Sequence, residues 1–146
     1  MPKPLEDHVY RRIEWNLHNV KELEEAEAAI RREIFEGGGP SFDHGLPRGV
    51  SKHSDPTANK ALALTDCKPR QWLEAIASTF EYYDPQSPEG RMARLYYGRN
   101  VTIKTVADRM KCTERTIHYY RDDFVFRCAL FAAERGLIRL SNGKRD

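Results

Sequence analysis

The stretch 101–127, VTIKTVADRMKCTERTIHYYRDDFVFR, constrains this chain more than any other, because it has the spacing at which two helices pack across a sharp turn. Ile103, Val106, Ala107 and Met110 recur at i, i+3, i+4 and i+7, which is one face of a helix that the Thr102 hydroxyl can cap. That predicts a supporting helix over about 102–111. After Cys112, Thr113 reads as a second hydroxyl cap with Glu114 in the first turn, and Ile117, Tyr120 and Phe124 form the stripe of a second helix. Small Ala107 permits close approach, Cys112 fills the corner beneath the turn, and Ile117 with Tyr120 holds the second helix from behind. Lys111 stands where glycine, with its tolerance of positive φ, is usual, and a side chain there costs about 1 kcal/mol.

Glu114, Arg115, His118, Tyr119 and Asp122 then point away from the stripe. The N-terminal turn of a helix so exposed offers backbone N–H groups to phosphates and side chains to base edges. Arg115, His118 and Tyr119 are the candidates for base edges, and Thr113, Thr116 and Arg121 for phosphates, with Glu114 in the same first turn. Arg99, Lys104 and Arg109 flank the site as candidate contacts to the nucleic-acid backbone. The plainer alternative is a pair of packed helices in a bundle, with the flanking charges merely solvated and His118 a packing residue.

The segment resembles the sigma-70 region 4 type of helix-turn-helix. From about residue 55 onward the chain resembles phage-encoded transcriptional activators of the RinA and ArpU kind, through RMARLYYG at 91–98, the supporting helix, and TERTIHYYR at 113–121. The resemblance implies a sequence-specific DNA-binding regulator, an activator of phage or prophage late genes. Its partners would be double-stranded DNA and host RNA polymerase, in the bacterial cytoplasm at the nucleoid. A phage DNA-packaging or recombination accessory protein, using the same module to recruit other machinery, is the alternative left open.

The remainder of the chain predicts an all-α fold: a long N-terminal helix and a C-terminal trihelical helix-turn-helix unit with an extended recognition helix. Val9, Ile13, Leu17, Val20, Leu23, Ala26, Ile30 and Ile34 are spaced by threes and fours, so 5–36 reads as one helix, although Asn16, His18 and Asn19 interrupt the seam. Gly37-Gly38-Gly39-Pro40 ends it, and the polar, glycine- and proline-containing run that follows reads as a flexible loop. The expected division is an N-terminal helical arm at 1–36, a loop at 37–54 and a helical DNA-binding domain at 55–146, with the helix-turn-helix at about 102–121. Within that domain Asp55-Pro56 opens one helix, Pro69 restarts or kinks it, and Trp72, Leu73, Ile76, Ala77 and Phe80 form an apolar face. Ser87-Pro88-Glu89 opens another that stops at Gly98 and supplies the third member of the unit. The reader helix runs on to about Gly136 through FVFRCALFAA, which is apolar nearly all round. Phe124, Phe126, Leu130 and Phe131 must therefore be covered, by the N-terminal helix or by a second copy.

Charge supports the same division. The net charge of +2 over 146 residues hides an uneven distribution: 13 Lys and Arg against 6 Asp and Glu in 90–146, and 11 against 16 in 1–89. A basic half joined to an acidic one suits a nucleic-acid module with a protein-facing arm; uneven solvation is the bland reading. Cys67, Cys112 and Cys128 are an odd, well-separated set, and His8, His18, His44, His53 and His118 are scattered, so neither a disulfide framework nor a metal or cofactor site is expected. His8, Asp43 and His44 are the only acid-base groups worth weighing as catalytic, and they fall on a helix end and a loop where geometry is poorly fixed, so no enzyme is expected. Neither a signal peptide nor a membrane span is read from the sequence, which fits a reducing cytoplasm.

Overall fold

The computed structural model describes residues 5–37 and 56–140; the expected loop at 37–54 lies, apart from Gly37, outside them. The described residues form an all-α fold without a strand. In chain order the helices are α1 (Asp7–His18), α2 (Val20–Arg32) with a π-helical turn (Glu33–Gly37), α3 (Pro56–Asp66), α4 (Lys68–Tyr82), α5 (Pro88–Ala93) with a second π-helical turn (Arg94–Gly98), α6 (Ile103–Met110) and α7 (Glu114–Glu134). No helix among the described residues is long and apolar enough to cross a membrane.

Local chemistry accounts for most of these boundaries. The Ser87, Thr102 and Thr113 hydroxyls each cap the helix that follows, accepting the backbone N–H three residues on: Gly90 at 3.1 Å, Thr105 at 3.2 Å and Thr116 at 3.1 Å. Pro69 restarts the chain after a break at Cys67, so α3 and α4 are separate. The single N-terminal helix expected over 5–36 is corrected to two. Asn19 leaves helical geometry at φ −122° and ψ 41°, and its side-chain amide donates to the Trp15 carbonyl at 2.6 Å, competing with the helix ladder as short polar side chains do. Gly136, at φ +74°, takes the chain out of α7.

The core forms around α7, which packs against α1, α4, α5 and α6. Phe124 is fully buried and lies among three rings from two other segments: Phe80 at 5.0 Å between centroids, Tyr83 at 5.4 Å and Tyr97 at 5.8 Å. Leu5, Ile13, Leu17 and Leu23 join the same cluster, with α1 covering α7 of its own chain and α2 packed on α4. Phe126 and Phe131 pack partly against this cluster, whereas Leu130 is half-buried and stands outside it.

Candidate nucleic-acid interface

Helix α6 docks on the N-terminal half of α7 through residues that the spacing singled out. Val106 and Ile117 are wholly buried, Ala107 nearly so, and Ile103, Met110, Cys112 and Tyr120 pack partly against them. The turn between the helices runs through Lys111 at φ 60° and ψ 46°, the left-handed conformation that a lysine adopts at a cost of about 1 kcal/mol. The backbone N–H of Cys112 returns to the Ala107 carbonyl at 3.1 Å and closes the turn. With its rear face held in this way, α7 presents its first two turns outward.

Seven of the predicted site residues are exposed: Arg99, Lys104, Arg109, Thr113, Glu114, Arg115 and Tyr119. Thr116 and His118 are half-buried beside them. Thr113 and Thr116 are coupled through the cap and through their hydroxyls, 3.0 Å apart. Arg115 donates from Nε to the Tyr119 hydroxyl at 3.1 Å. Arg99 follows the second π-helical turn, Lys104 lies in the first turn of α6 and Arg109 in its last, so all three belong to the segment that precedes α7. Over 99–119 there are 5 Lys and Arg against 2 Asp and Glu, the local excess that attracts phosphates.

Arg121, expected to hold a phosphate, turns inward instead. Its guanidinium lies 5.8 Å from the Tyr10 ring centroid, and its Nε lies 3.7 Å from Glu14 Oε2 on α1. Burial opposes the charge on Arg121, and the neighbouring Tyr10 oxygen and Glu14 carboxylate outweigh that, so the guanidinium is held above its ordinary value. The physical reason is register: Arg121 lies four residues after Ile117 and three before Phe124, on the buried side of the helix.

Sequence reasoning missed the side chains that link α1 to α7 and to the turn before α6. Tyr10 donates from its hydroxyl to Asp122 Oδ1 at 2.6 Å; burial first, and this bond second, hold its phenol well above the ordinary range, so it stays protonated. Tyr97 donates to Glu14 Oε2 at 2.9 Å, and its phenol is raised chiefly by burial and then by the Glu14 charge. His18 packs edge-on against Tyr96 and Tyr97, each at 4.7 Å, with its Nδ1 3.2 Å from Asn100 Oδ1. Asn100, at φ 57°, is the second left-handed residue and immediately precedes the approach to α6. Among the described residues, no group of three or more His, Cys, Asp or Glu is placed to hold a metal ion.

No protein-family model, curated protein or solved structure matches the chain.

Proposed function

We propose that this protein is a sequence-specific double-stranded DNA-binding regulator in which α6 and α7 act as a helix-turn-helix and α7 is the reader. The observation that carries the reading is the exposed start of α7: a Thr113 cap followed by Arg115 and Tyr119, held rigidly from behind by α6. Open backbone N–H groups and the local basic excess suit phosphates, and Arg115 suits a base edge. Arg99, Lys104 and Arg109 add backbone contacts, and His118 and Thr116 line the flank of the reader. The resemblance of 91–98 and 113–121 to phage activators adds the narrower class, a regulator of phage or prophage late genes that works with host RNA polymerase.

Selection of duplexes from a random pool by the purified full chain tests this reading. Enrichment of one common site, with affinity that falls steeply as salt rises, is expected. Uniform retention of all duplexes would point instead to the packaging or recombination role. Failure to retain any duplex at low salt would overturn DNA binding altogether.

A further inference from the structure

We infer that Tyr119 is a positioning residue that sets Arg115 to read guanine, an inference that rests on the DNA-binding reading above. Arg115 and Tyr119 stand one helical turn apart on the exposed side of α7, joined by the 3.1 Å bond from Nε to the tyrosine hydroxyl. The guanidinium carbon lies 5.8 Å from the ring centroid, near the outer limit of a cation–π contact, so the hydrogen bond defines the pair. Tyr119 is 57% exposed, and the packing role on this part of the helix belongs to Ile117 and Tyr120. The side chain of Tyr119 thus faces Arg115 through both its hydroxyl and its ring.

The consequence follows from the shape of the guanidinium. Its five N–H donors form a fixed planar fork, one on Nε and two on each Nη. A side-on approach to a phosphate or carboxylate uses Nε with one Nη, and the Tyr119 hydroxyl occupies that edge. The end-on pair, Nη1 with Nη2, stays open, and guanine offers O6 and N7 to meet it as two acceptors. Adenine presents N7 beside an N6 donor, which opposes one of the two N–H groups. The same bond restricts a side chain that would otherwise lose considerable rotamer freedom on binding. The tyrosine thus raises discrimination between bases without touching a base itself.

The test compares the wild type with Tyr119→Phe and Arg115→Ala on duplexes derived from the selected site. Arg115→Ala locates the base pair concerned, as the position at which preference is lost. At that position the wild type is expected to favour guanine over adenine by about tenfold or more, and 7-deazaguanine, which lacks the N7 acceptor, should lose most of the advantage. Tyr119→Phe should reduce the guanine-to-adenine ratio by at least about threefold, with its melting temperature, affinity for scrambled duplex and salt dependence unchanged. An unchanged ratio in Tyr119→Phe, an equal loss on every duplex, or a preferred base other than guanine would overturn the inference while leaving the DNA-binding reading intact. Retention of base preference by Arg115→Ala at every position would instead remove Arg115 as the reader.

Discussion

Gly90 sits in the first turn of α5, where a methyl group would run into the Asp84 carbonyl oxygen and crowd the Ser87 hydroxyl that caps the helix. Gly90→Ala should therefore lower stability by about 1–3 kcal/mol, the cost of forcing atoms into a filled site; an unchanged melting temperature would contradict it. Asp123 gives a prediction of opposite sign. Burial first, and then the nearby Glu89 and Asp122 charges, raise its carboxyl above the ordinary range, against the pull of Arg127. An acid raised in this way destabilises the fold once the pH exceeds its folded value, and the penalty is absent below its unfolded one. Asp123→Asn should accordingly raise the melting temperature at neutral pH, and the gain should disappear as the solution is made more acidic than the ordinary carboxylate range; a gain that persists in acid would contradict the assignment. At this scale Lys111 was legible, because a turn that short requires a positive φ whatever residue occupies it. Asn100 left only the weak signal of a residue type that tolerates the same conformation.

Helix α7 was the most legible element, since hydroxyl caps and apolar spacing are local signals. Its beginning at Glu114 and its end at Glu134 lie close to the expected bounds. Periodicity located the faces of this apolar helix less well, because nearly every position reads as buried in FVFRCALFAA. Phe124, wholly buried among three rings, and half-buried Leu130, outside the core cluster, are not equivalent. Phe124→Ala should cost about 3–5 kcal/mol, and Leu130→Ala clearly less in the same denaturation experiment. Equal losses would contradict the packing described here. The break at Asn19 was half legible: three polar residues marked the weak point, but only the bond to the Trp15 carbonyl explains why the chain yields there.

Across the whole molecule the least legible features are the contacts that α1 makes with α7 and with Tyr97. Tyr10 and Asp122 are 112 residues apart, Glu14 and Tyr97 are 83 apart, and no spacing rule reaches across such distances. Arg121 was expected among the phosphate contacts, whereas the cover supplied by α1 makes it an internal partner of Glu14. The acidic N-terminal part and the basic C-terminal part are thus packed together, with the basic excess of 99–119 beside the open end of α7. The central claim is that this end reads DNA, and the most direct measurement is titration of wild type and Arg115→Ala against the selected site and a scrambled duplex at two salt concentrations. Loss of about 1–3 kcal/mol of preference for the selected site in Arg115→Ala, with its fold intact, is the predicted result. Equal affinity of the wild type for both duplexes, or a preference untouched by the substitution, would contradict it.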